Sequence, residues 1–174
     1  MSFAISTPEP SDSPDLQLIR GIAAVHNTGW REAYGTQLPA RFYDDTALAR
    51  RIEMWTRVLS TPDACSRTRV AITADAAAQP EVLGFAIAGP SRDADYVGTE
   101  LSAIYVRAAH YGTGVGQALL DAALGGQPAM LWVAEDNRRA RAFYTRNGFS
   151  PDGQRKVDEE LGGLAEIRMT RQRG

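Results

Sequence analysis

From Asp15 onward the chain carries a helical period: Ile19, Ile22, Ala23 and His26 fall at i, i+3, i+4 and i+7, one face of a first helix that Gly29 ends or bends. Leu48, Ile52, Trp55 and Leu59 repeat nearly the same spacing in a second helix, with Asp44 and Asp45 as candidate N-caps and Pro62 as its stop. The period then drops to two. Arg69 to Thr73 and Val82 to Ala88 are short apolar runs on either side of the turn-prone segment Ala74 to Pro80, which predicts a hairpin. Glu100 to Val106 alternates until Ile104, Tyr105 and Val106, three large apolar residues in a row, as in a buried strand or one with a bulge. Val115, Ala118, Leu119 and Ala122 define a helix ended by Gly125 and Gly126, and Ala129 to Val133 is a fully apolar strand. Asn137 to Asn147 is a helix with Ala140, Phe143 and Tyr144 on one face, closed by Gly148. Weaker strands follow at Gln154 to Val157 and Leu164 to Met169. This order describes an α/β (α+β) protein, a mixed sheet with helices on it.

Composition narrows the picture. At 174 residues, 44% of them hydrophobic, the chain suits one domain, expected over 15–174; Ser6 to Pro14 is rich in Ser, Pro and Asp, and residues 1–14 are expected to be flexible. Nineteen basic residues against twenty-one acidic ones give a net charge of -2, which offers no positive field for nucleic acid or anionic lipid. The first residues lack a basic and an apolar region, and no stretch approaches the ~20 apolar residues that span a bilayer, so a cytoplasmic location is expected. The single cysteine, Cys65, makes no internal disulfide and has no neighbours with metal-ligand spacing, so neither a metal site nor a thiol nucleophile is expected.

The strongest chemical signal is Tyr111, Gly112, Thr113, Gly114, Val115 and Gly116, a glycine-rich turn between an apolar strand and an amphipathic helix. A helix start presents unpaired backbone N–H groups and a partial positive charge, and glycines let a phosphate come close to them. Gln117 and Ala118 stand where a nucleotide P-loop needs Lys and Ser or Thr, and no glycine completes a dinucleotide fingerprint after Gly112 and Gly114. Glycines that serve only a tight turn are the plain alternative.

This turn, joined to a strand and then Asn137-Arg138-Arg139-Ala140-Arg141-Ala142-Phe143-Tyr144 and Asn147-Gly148-Phe149, resembles the GNAT superfamily of N-acetyltransferases, strongly over Glu100 to Pro151. The Trp30 to Tyr34 segment and the closing Glu166 to Met169 are similar to small bacterial members more weakly. The resemblance implies a mostly antiparallel central sheet with helices on both faces and a splayed, bulged central strand. It implies acetyl-CoA as cofactor, with its pyrophosphate on the amides of Tyr111 to Gly116 and the start of the helix at Gln117. The pantetheine arm would lie along Ile104, Tyr105 and Val106, where a backbone N–H would also stabilise an oxyanion. Asn137, Ala140, Phe143 and Tyr144 would complete the cofactor site. Tyr111 stands where the family commonly has Gln or Arg, which removes one side-chain contact to phosphate.

By the same resemblance Tyr144 is the general acid for the departing thiolate, against the plain reading of an aromatic packed on its helix face. An acceptor amine must lose a proton, and Glu100, at the start of the central strand, resembles an acidic residue found near the acceptor. If the first helix continues, His26, Trp30 and Tyr34 form one stripe that lines an acceptor pocket or simply packs. Arg138, Arg139 and Arg141 read most simply as a solvated face. The expected activity is acetyl transfer from acetyl-CoA to a primary amine of a small molecule or peptide in a ternary complex. The alternative is a non-catalytic acyl-CoA sensor on the same fold. Neither nucleic acid nor a membrane is an expected partner, and a homodimer is left open.

Overall fold

The sheet begins earlier than the pattern suggests. In the computed structural model, which describes residues 2–35, 37–74 and 80–172, β1 (Phe3–Ser6) pairs antiparallel with β2 (Thr68–Thr73) and sends Phe3 and Ile5 toward the core. The expected flexible segment is corrected at these four residues, because two apolar side chains at period two find a sheet edge to cover.

Asp15 accepts the N–H of Gln17 at 2.8 Å and opens α1 (Leu16–Tyr34), whose buried stripe includes Ile19, Ile22, Ala23 and Val25. Gly29 does not end the helix, which runs on to Tyr34. A Cβ there would collide with the ring of Tyr105, so glycine permits a close contact between helix and sheet. Asp44 accepts the N–H of Ala47 at 2.8 Å and caps α2 (Asp45–Leu59). Pro62 does more than stop α2, since it occupies the first turn of a short α3 (Pro62–Ser66). The hairpin of β2 and β3 (Val82–Pro90) forms as expected, although 75–79 of its turn lie outside the described residues.

β4 (Thr99–Val106), α4 (Val115–Leu124) and β5 (Ala129–Ala134) follow, then α5 (Arg138–Arg146), β6 (Ser150–Asp158) and β7 (Leu164–Arg171). The strand order is β1-β2-β3-β4-β5-β7-β6, antiparallel except between β4 and β5, the pair that the α4 crossover joins. Helices cover both faces. On one, Ile19, Ile22, Trp55, Leu59, Val70 and Phe85 form a core under α1 and α2; on the other, Leu83, Leu119, Leu120, Leu131, Phe149 and Met169 pack with α4 and α5.

Two features set β4 apart from its neighbours. Ile104 and Val106 pack toward the α4 core while Ala103 and Tyr105 pack toward the α1 core, so the unbroken apolar run reflects burial on both faces. The bulge lies upstream of that run: Ile87 faces Ala103 but Ala88 faces Leu101, which leaves Ser102 as the extra residue. β4 pairs with β5 only at Thr99 with Ala129 and Glu100 with Met130. Beyond Glu100 the two strands part.

Candidate active site

A cleft of about 520 Å³ occupies the gap between the parting strands. Trp30 and Tyr34 of α1, β4 from Glu100 to Val106, the glycine turn, and Asn137, Ala140, Phe143 and Tyr144 all line it.

One end is made largely of backbone. Gly112 and Gly114 have φ of 75° and 90°, the left-handed region that side chains avoid, and the space where a Cβ would stand is open at both. Gly114 caps α4 without a side-chain hydrogen bond, so the first N–H groups of the helix remain available to an anion. Val115 is buried and fixes the helix start in the core, while the Thr113 hydroxyl donates to the His110 carbonyl at 2.8 Å. Gln117 Nε2 donates to Asp121 Oδ1 at 2.9 Å and Asn147 Oδ1 at 2.7 Å, tying α4 to the end of α5. Asn137 caps α5 by accepting the Ala140 N–H at 3.0 Å.

Tyr111 takes a position that its sequence place does not reveal. Its hydroxyl donates to Glu32 Oε2 at 2.6 Å, and the Arg139 guanidinium lies over its ring, 3.9 Å from the centroid. Burial and the Glu32 hydrogen bond push the phenol up to about 12. α1, the glycine turn and α5 are thereby linked across the cleft. The three arginines of α5 divide: Arg139 lines the cleft, Arg141 donates to the Glu135 carbonyl at 2.8 Å, and Arg138 is exposed.

Tyr144 sits between the two ends. Only 8% of it is exposed, its ring meets Phe143 and Phe149 edge-on, and its hydroxyl has no hydrogen-bond partner among the described residues. Burial, reinforced by the Tyr34 phenol, pushes its pKa far up, so the proton stays on it at neutral pH. Tyr105 is raised in the same way, by burial and then by its neighbours Tyr34 and Tyr144.

The other end is made of side chains. Glu100 is 3% exposed and is held by Arg92, whose backbone N–H reaches Oε2 at 2.9 Å and whose Nε lies 3.2 Å from both carboxylate oxygens. Burial works to raise its pKa, but the side-chain and backbone hydrogen bonds from Arg92 prevail and hold it below the usual range. A carboxylate so stabilised is a poor proton acceptor, which weighs against a base's role for Glu100. Glu166 of β7 lines this end too, 3.3 Å from Lys156 Nζ of β6, and that ammonium lies 4.2 Å from the ring centre of Trp132 on β5. Just behind, Arg168 donates to Asp152 at 2.7 Å and Asp95 at 3.0 Å and meets Asp93 at 3.5 Å, while Asp93 also accepts the Trp132 indole N–H at 2.8 Å. Arg168 therefore pins the loop between β3 and β4 to β6 and β7.

His26 does not line the cleft. Its Nδ1 accepts the Trp55 indole N–H at 3.3 Å, and the rings of Trp30, Phe85 and Tyr105 surround it. Burial and then Arg51 push it down to about 3, so it is a neutral support beneath Tyr105 and Trp30 and not an acceptor-site base. Trp30 and Tyr34 do line the cleft, as the stripe suggests; the Trp30 indole N–H is buried without a partner among the described residues. Sequence reasoning missed Arg92, Lys156 and Glu166, which stand in the loop before β4, in the edge strand β6 and in β7 beside β5, and no local motif marks them. Cys65 is buried, and burial pushes its thiol up.

The architecture matches solved structures along nearly its whole length. The PH1933 protein of Pyrococcus horikoshii OT3 is similar at a TM-score of 0.70 and 16% identity, covering 99% of both chains. The PaiA N-acetyltransferase of Thermoplasma acidophilum, solved in complex with coenzyme A, is similar at 0.60 and 17%, again over 99% of each. In sequence the chain is 28% identical over 170 residues to the probable N-acetyltransferase Rv2775 of Mycobacterium tuberculosis, covering 94% of this chain and 88% of that one. Residues 66–151 match the acetyltransferase (GNAT) domain family. Through that match and its fold, the chain is similar to the GNAT superfamily of acetyltransferases. No helix among the described residues is long and apolar enough to cross a membrane.

Proposed function

We propose that the chain transfers an acetyl group from acetyl-CoA to an amine, with both substrates bound together in the cleft. The observation that carries this reading is the edge of β4 beyond Glu100. Its backbone groups facing β5 have no strand partner and open onto the cleft, where a ligand's amides can pair with them. A pantetheine arm has amides of its own and fits such an edge. The edge leads from the glycine turn, where left-handed Gly112 and Gly114 leave room for phosphate oxygens, to the part of the cleft lined by Tyr144.

The amides at Gly114 to Gln117 would hold the pyrophosphate, each hydrogen bond to a charged oxygen contributing about 1.5–3 kcal/mol. Ile104, Tyr105 and Val106 would offer backbone groups to the arm, and Ala140 and Phe143 would wall it. Acetyl-CoA supplies a thioester, whose sulfur leaves as a thiolate. Tyr144 lines the cleft, keeps its proton at neutral pH and has no competing hydrogen bond, so it can donate to the departing sulfur; its raised pKa makes it a weak acid, and the proton passes only as thiolate charge develops. Glu100, paired with Arg92, would set the potential of the acceptor end without taking a proton itself; the acceptor ammonium would give one proton to cleft water before attack and a second, through water, to Tyr144 after that phenol has protonated the departing sulfur.

Calorimetric titration with CoA and acetyl-CoA tests the donor site; a Kd in the micromolar range is expected, and no heat of binding overturns the reading. Release of free thiol from acetyl-CoA in the presence of polyamines, aminoglycosides, amino acids and peptides with free N-termini tests transfer. Thermal stabilisation by acetyl-CoA with no thiol release from any of these amines would identify an acyl-CoA sensor instead.

A further inference from the structure

We infer that Glu166 seats the ammonium of the acceptor, and that the acceptor is a primary amine on a flat apolar stem; both rest on the acetyl-transfer reading. Two carboxylates line the charged end of the cleft. Glu100 is nearly inaccessible and its oxygens are taken up by three nitrogen contacts from Arg92. Glu166 is held by one contact, 3.3 Å from Lys156 Nζ, and its side chain is 17% exposed. A carboxylate mostly removed from water and only loosely paired gains more from an incoming cation than one already saturated.

The seat is already fitted to an ammonium, because one occupies it. Lys156 Nζ lies against Glu166 and over the face of Trp132, the electrostatic and cation–π environment that a substrate ammonium would want. The Lys156 side chain is 46% exposed, so it can swing into water when a competing ammonium arrives. The surrounding surface sets the stem. Trp30, Tyr34, Trp132, Leu161 and Leu164 line this end, and they suit a planar or apolar body better than a polyhydroxylated one.

Tyramine is the probe and 4-ethylphenol its partner without the ammonium, each titrated into the full chain with and without CoA. Wild type is expected to bind tyramine at least about tenfold more tightly than 4-ethylphenol. Glu166→Gln should remove that preference while CoA affinity stays within about twofold. Lys156→Met, which takes away the resident competitor, should tighten tyramine by up to about fivefold, the range of a partly exposed ion pair. No tyramine binding by wild type, equal binding of the two probes, or an unchanged preference in Glu166→Gln overturns the inference. If Glu166→Gln does not fold, Lys156→Met decides, and weaker or unaltered tyramine binding there overturns it. CoA titrated alone reports separately on the donor site, so that reading can stand while this one falls.

Discussion

The two ends of the cleft are built by different means. At the glycine end a few consecutive residues do the work: a turn with two left-handed glycines, the uncapped start of α4, and one strand edge. At the charged end Trp30, Arg92, Glu100, Trp132, Lys156 and Glu166 come from α1, from β4, β5, β6 and β7, and from the loop before β4. On the proposed reading, backbone amides would recognise a group that every acyl-CoA shares, whatever the side chains nearby. Side chains on separate strands can be exchanged one at a time. The contrast separates what is common to the fold from what selects the acceptor.

Tyr144 stands where the ends meet, and its removal should have the largest effect. Tyr144→Phe keeps the packing against Phe143 and Phe149 and deletes the proton, so turnover should fall by about 10²–10⁴ with CoA affinity unchanged. Wild-type turnover in steady-state assays would remove the phenol from the mechanism. Arg168→Met should come next. It strands Asp93, Asp95 and Asp152, and the expected loss is about 2–4 kcal/mol, in the lower part of the range for a broken buried pair because these carboxylates reach water. Urea unfolding measures it. CoA affinity in the folded variant should stay within about twofold, and a large drop would mean that the two ends are not independent.

The same contrast explains how much was legible in the sequence. Gly112, Gly114 and the start of α4 are neighbours in the chain, so the left-handed turn and the helix start after it could be read directly. The splay of β4 was legible only through family resemblance, and the bulge was expected two residues too late because a strand buried on both faces breaks alternation without one. Glu100 lines the cleft, and nothing local told that Arg92, eight residues earlier, would cross the turn and saturate it. Lys156 and Glu166 sit in strands that alternate weakly. Their meeting depends on the register of β6 on β7, set by the turn that carries left-handed Gly162 and Gly163 and by the shift between Pro151 and Arg155, which weak alternation does not reveal.

His26 sharpens the comparison through pH, because it supports Tyr105 and Trp30 from below. A histidine whose folded pKa is lowered contributes stability that is complete above its unfolded value of about 6.5 and is lost as pH falls toward about 3. Between pH 7 and 4.5 the expected loss is about 2–3 kcal/mol. Glu100, whose folded pKa is also lowered, adds to the loss only further down, as pH falls below the ordinary carboxylate range. Denaturant titrations across this interval measure the slope. His26→Gln, which can still accept the Trp55 N–H, should flatten it, and an unchanged slope would place the titrating group elsewhere.

The smallest expected effect tests the backbone account most directly. Arg139 is stacked on Tyr111 at the edge of the glycine turn, and Tyr111 occupies the place where a phosphate-binding side chain is common in the family. If backbone amides supply most of the binding, an exposed guanidinium at the rim adds a screened charge and little more. Arg139→Ala should then weaken CoA by no more than about tenfold, and by less at high salt than at low. Tyr111→Phe frees Glu32 but leaves a ring for Arg139 to stack on, so it should shift CoA affinity less than Arg139→Ala does. Calorimetry at two ionic strengths separates the cases. A loss of a hundredfold or more in Arg139→Ala, persisting in salt, would show that a side chain has taken over the recognition assigned to the helix start, and the distinction between the two ends of the cleft would fail.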